Sequence, residues 1–159
     1  MKIKILPIGK VDPLRGLGYR MELAIVNSLD MTARAIKVDF GVTTQTWRRR
    51  PMFQIDEPAW DTRDIYTTSE IYGYVSGGTR PHVIRPRMAS RLAFPANYAA
   101  KTTPRSIASR PGGSSGPTVT AREVFHPGTQ AREFDIVIAE KWGRQFPVTL
   151  DRAIAAAIG

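Results

Sequence analysis

His82 and His126 are the only histidines in the chain, and each stands beside a proline in a short Gly-Thr phrase. The first phrase is Gly-Gly-Thr-Arg-Pro-His-Val-Ile-Arg-Pro over residues 77–86, and the second is His-Pro-Gly-Thr-Gln-Ala-Arg-Glu-Phe over residues 126–134. Two imidazoles can divide general acid and general base duty in cleaving an RNA held by a basic protein, because their ordinary titration lies near neutrality. The plainer reading is that each imidazole caps a turn or stacks in a packed corner, as its proline and glycine neighbours suggest. Standing 44 residues apart with no local His or Cys partner, the pair has poor ligand spacing for a metal. The carboxylates Asp56, Glu57, Asp61 and Asp64 cluster, but among turns and strand ends where aspartate is common. The Gly77-Gly78-Thr79 and Gly112-Gly113 stretches lack the lysine and the strand-to-helix setting of a phosphate-binding loop. No catalytic constellation assembles from these residues, and neither a cofactor nor a metal site is expected.

Basic residues offer a second kind of chemistry. Lys and Arg total 23 against 14 Asp and Glu, a net charge of +9, which favours nucleic acid, acidic proteins or anionic surfaces as partners without choosing among them. The one dense cluster is Arg48-Arg49-Arg50, which reads either as a solvated connector or as a contact for DNA or an acidic partner. Tyr66, Tyr72 and Tyr74, with Arg80 and Arg85 nearby, suit a stacking platform for single strands or a protein interface, where the same residue types are enriched.

These residues must be positioned by a single domain spanning 1–159, since that length supports one core. Hydrophobic residues at 42% match a packed protein, and the absence of cysteine excludes disulfides, thiolate metal sites and a cysteine nucleophile. No leader and no membrane span is read in the sequence, so a soluble chain is expected. Asp12-Pro13 is a helix start, and Leu14, Leu17, Met21, Ile25, Leu29, Ala33, Ile36 and Phe40 recur at steps of three or four. They predict a helix from Pro13 to the low forties, with Trp47 as its furthest reach. Residues 52–55 and 62–68 favour strands, and residues 71–75 suit either a helical turn or a strand. Alternation over 82–87, then 92–94 and 118–125, predicts further strands. Residues 95–117, rich in Pro, Gly, Ser and Thr, read as a long loop that needs a neighbouring copy or partner to order it. From Ala131, apolar residues recur every fourth position through Ile158, and Gly143 and Pro147 predict a bend or short break that returns the stripe to one side. The fold class is therefore α+β: a mixed or antiparallel sheet of about four to five strands packed with a long N-terminal helix and a kinked C-terminal helix.

The order of the two phrases resembles the tail-completion or neck proteins of long-tailed bacteriophages, small subunits that join a tail to a head. Gly78, Thr79, Pro81, His82, Ile84 and Pro86 match that family's first phrase, and His126, Pro127, Gly128, Thr129, Ala131 and Phe134 match its second. The resemblance covers about Tyr72 to the C-terminus; upstream only the plan of a long helix followed by strands is similar. Three departures stand out. Ser76 and Gly77 replace a common acidic residue before Gly-Thr, Glu133 replaces a common proline, and residues 46–50 replace a Gly-x-Leu-x-x-Ser phrase. The resemblance implies a non-enzymatic virion protein, made in the host cytoplasm and placed in the phage neck or upper tail. It implies a ring of copies contacting head–tail connector and tail tube or terminator proteins, with DNA passing through the centre and no membrane. A basic nucleic-acid-binding module is the rival reading, and a small ribonuclease a third.

Overall fold

The first apolar stripe of the sequence forms helix α1 (Tyr19–Thr43), with Ile25, Leu29, Ala33, Ile36 and Phe40 on its buried side. The computed structural model describes residues 2–5 and 18–158, so the expected start at Asp12-Pro13, with Leu14 and Leu17, lies outside the described residues. Gly41 does not stop the helix, and the chain does not stay helical to Trp47. The helix ends at Thr43, where the Thr44 amide donates to the Gly41 carbonyl and the Gln45 amide to that of Val42. A strand absent from the sequence reading, β1 (Lys2–Ile5), alternates Lys and Ile, and its Ile3 reaches the core.

Strands β2 (Gln54–Ala59) and β3 (Thr62–Tyr66) complete an antiparallel sheet of order β1-β3-β2. The central strand β3 is the buried one, carrying Arg63 and Ile65. Arg63 donates from Nε to Asp30 on α1 at 2.6 Å and from Nη1 to the carbonyls of Ala59, Trp60 and Thr62. A guanidinium so placed holds the β2–β3 turn in one shape.

The ambiguous tyrosine segment is helix α2 (Glu70–Gly77), started by the Ser69 hydroxyl accepting from the Tyr72 amide. Its Tyr72 is fully buried, 5.0 Å from the Phe53 ring and 5.4 Å from that of Phe134. Thr43 spends its hydroxyl proton on the Phe40 carbonyl, so the Tyr72 hydroxyl donates to Thr43 Oγ1 at 3.1 Å. A platform of Tyr66, Tyr72 and Tyr74 therefore does not form, because the core claims the middle ring.

The C-terminal stripe forms helix α3 (Phe134–Ile158), packed along α1. Asp39 Oδ2 pins the two helices by accepting from Lys141 Nζ and Trp142 Nε1, each at 2.7 Å. Of the expected bend or short break between Gly143 and Pro147, the break is absent, and the helix continues through both residues. Gly143, whose carbonyl loses its helical donor to proline, is exposed, so water can satisfy that oxygen. The drift of a four-residue repeat shows instead in the burial. Phe134, Ile138 and Phe146 are buried, Trp142, Leu150 and Ile154 pack partly on the core, and Ile158 is exposed.

The α+β class and the two long packed helices are as expected, but one sheet of four or five strands is replaced by three small antiparallel sheets among the described residues. The second pairs β4 (His82–Ile84) with β7 (Val124–His126), and the third pairs β5 (Leu92–Ala99) with β6 (Gly113–Ala121). The strand expected over 118–125 is split between β6 and β7 by Arg122 and Glu123. Residues 95–117 are likewise not a continuous loop. Both of their ends are strand, and only the turn at 100–112 is irregular. That turn is held by its own chain: the Arg105 guanidinium binds Glu133 and Glu140, its amide donates to the Arg132 carbonyl, and Lys101 Nζ donates to the Thr46 carbonyl. Composition misled here because backbone pairing, rather than buried side chains, orders an exposed ribbon.

Candidate functional site

The two Gly-Thr phrases meet. Across β4 and β7, His82 is paired with His126, Val83 with Phe125 and Ile84 with Val124. Beyond the strands, the Thr79 amide donates to the Thr129 carbonyl at 3.0 Å and the Thr129 amide returns a bond to the Thr79 carbonyl at 3.1 Å. The Thr79 hydroxyl also accepts from the Thr129 amide at 3.0 Å. The glycines preceding these threonines are what allow the approach. A methyl group at Gly78 would stand 2.7 Å from the Thr129 carbonyl oxygen, and one at Gly128 would overlap the Thr79 carbonyl oxygen. Both glycines have left-handed backbone, φ +76° and +88°, where side-chain-bearing residues are strained. Each phrase thus closes on the other in a reciprocal clasp.

The histidine rings stack within this clasp, centroids 5.1 Å apart and planes 29° from parallel. His126 Nδ1 accepts from the Gly128 amide at 3.0 Å, and His82 Nδ1 lies 2.9 Å from the Arg80 carbonyl. Face-to-face rings at this separation leave no room between them for a phosphodiester. Pro81 abuts the Gly128 position, and Pro127 lies in the turn between His126 and Gly128. Ile84 ends the paired strand, while Pro86 lies beyond it.

Downstream of the clasp, the second phrase delivers α3. The amides of Arg132 and Glu133 donate to the Ser76 carbonyl, closing the end of α2. The Ser76 hydroxyl accepts from the Phe134 amide and donates to Asp135, so it caps the start of α3 from a distant point in sequence. Phe134, fully buried, stacks on Tyr72. Two departures from the family phrase meet at this joint, Ser76 and Glu133. Glu133 has φ +55°, a backbone that proline cannot adopt.

Beside the clasp lies a cleft of about 490 Å³. Trp47, Arg48 and Arg49 come from the connection after α1, Ile71 and Val75 from α2, Tyr98, Lys101 and Thr102 from the ribbon and its turn, and Thr129 and Arg132 from the second phrase. Four cationic side chains and no carboxylate line it, among the described residues. None of the four takes part in an ion pair with a described residue. A low-dielectric wall with uncompensated cations attracts anionic groups. Arg48 and Arg49 of the triplet thus belong to a shaped surface, whereas Arg50 is exposed and is not part of its lining.

Lys101, Arg132, Trp47 and Tyr98 had no local signal, since the cleft is drawn from four separated stretches of chain. Among the described residues no group of three His, Cys, Asp or Glu converges as metal ligands, and no helix is long and apolar enough to cross a membrane. Comparison with known proteins finds no family model that matches this chain, no similar curated protein and no similar solved structure.

Proposed function

We propose that this chain is a structural virion protein of the neck or upper tail of a long-tailed bacteriophage, whose copies form a ring that joins tail to head and passes DNA. The observation that carries the reading is the clasp: the two phrases on which the family resemblance rests are bonded to each other, residue against residue. A role built on shape and contact needs such a rigid joint, because it sets the directions of β4, β7 and α3 together. The exposed β5–β6 ribbon and the exposed apolar residues Val83, Phe125 and Tyr98 favour contact with other chains. The stacked histidines, with no space between them for substrate, favour a structural role over catalysis.

Deleting the gene from its phage tests the reading. Lysates viewed by electron microscopy are expected to hold unjoined heads and tails, or tails with faulty ends. Normal joined particles would exclude it. The cationic cleft keeps a second reading in view, a nucleic-acid-binding module. Tight binding of an oligonucleotide by a monomer, weakening steeply with salt and lost in R48E/R49E, would favour that alternative.

A further inference from the structure

We infer that the cationic cleft receives the β2–β3 hairpin tip of a second copy, making a head-to-tail contact between unlike patches. The hairpin is the densest acidic run of this basic chain: Asp56 and Glu57 on β2 and Asp61 in the turn fall within six residues, together with the half-exposed Trp60. Glu57 lies 3.8 Å from Arg63 with its side chain largely in solvent, and Arg63 is already committed to Asp30 at 2.6 Å. The tip therefore offers negative charge and an indole, while the cleft offers Arg48, Arg49, Lys101 and Arg132 around an apolar wall that includes Ile71 and Val75.

Three further observations favour this occupant. Arg63 clamps the carbonyls of Ala59, Trp60 and Thr62, so the tip is ordered before docking and little entropy is lost on contact. The cleft is lined from within 47–49, 71–75, 98–102 and 129–132 and by no residue of the hairpin. Cleft and tip are thus separate patches on one subunit, as a rotationally repeated contact requires. A single nucleic-acid strand is a poorer fit. A backbone-tracking groove spans several nucleotides and presents a row of free aromatic faces, whereas this cleft is compact and, of its two aromatic rings, only Tyr98 is exposed, the Trp47 ring lying 6.1 Å from the buried Tyr72.

The inference rests on the ring reading, and charge reversal tests it. Sedimentation would compare the wild type with R48E/R49E, with D56R/E57R/D61R, and with an equal mixture of the two variants. Self-association of the wild type is expected, weakened by roughly tenfold or more in either variant alone, where like charges meet. The mixture should restore it, because each variant then presents the partner the other needs. Variants that associate like the wild type, a mixture that stays monomeric, or a wild type monomeric at every concentration would overturn the docking. So would a short single-stranded oligonucleotide that binds the wild type and is lost in R48E/R49E while self-association persists. An oligomer indifferent to the reversals removes this contact and leaves the ring reading standing. Normal particle morphology after gene deletion removes the ring reading instead.

Discussion

At the scale of single residues, the clasp depends on two positions that tolerate no side chain. Replacing Gly128 with alanine forces a Cβ into left-handed backbone against the Thr79 carbonyl, and a loss of about 2–4 kcal/mol in unfolding free energy is expected. Urea unfolding of Gly128→Ala measures it, with Gly143→Ala as the contrast, because space around Gly143 is open and alanine suits a helix better. Tyr72 gives a pH test. Burial pushes its hydroxyl well above the ordinary tyrosine range, and the Asp135 charge adds to that rise. The folded chain keeps this proton after the unfolded chain begins to release it near pH 10, so the folded state binds more protons and stability falls as pH rises. The contribution is complete below pH 10. Tyr72→Phe loses one hydrogen bond, about 1 kcal/mol at pH 8. Its deficit relative to wild type should narrow between pH 8 and 11, and a constant gap would contradict the assignment.

At the scale of elements, the joint between α2 and α3 is the most constrained place in the fold. Ser76 accepts from Arg132 and Glu133 through its carbonyl and caps α3 through its hydroxyl, while Glu133 holds a positive φ. Placing a proline at 133 is therefore expected to harm this chain. Glu133→Pro removes the amide bond to Ser76 and demands a negative φ, a loss of about 3 kcal/mol or more, read as a lowered denaturant midpoint. Helix α3 teaches the opposite lesson about proline. Pro147 sits inside α3 without interrupting it, because the carbonyl it frees, that of Gly143, lies where water reaches it.

At the scale of the whole molecule, the ribbon turn decides how much surface is offered to other chains. Arg105 ties residues 100–112 to Glu133 and Glu140 beside the clasp, so one side chain links the ribbon turn to the second phrase and α3. Arg105→Ala is expected to leave the global unfolding midpoint almost unchanged while amide exchange across 100–112 accelerates. Unchanged exchange would mean that backbone bonds alone hold the turn. The α+β class, the buried stripes of α1 and α3 and the two glycine corners were legible in the sequence, since helical periodicity and turn chemistry are properties of neighbours a few residues apart. The strand Lys2–Ile5 carries its own sequence signal, an alternating Lys-Ile pattern. Tertiary structure alone decided that the corners clasp each other, that Ser76 caps a helix 58 residues away, and that Arg48 and Arg49 share a cleft with Lys101 and Arg132. Those pairings join segments far apart along the chain, and local sequence does not encode which distant backbone will supply the missing hydrogen-bond partner or leave a cation unpaired.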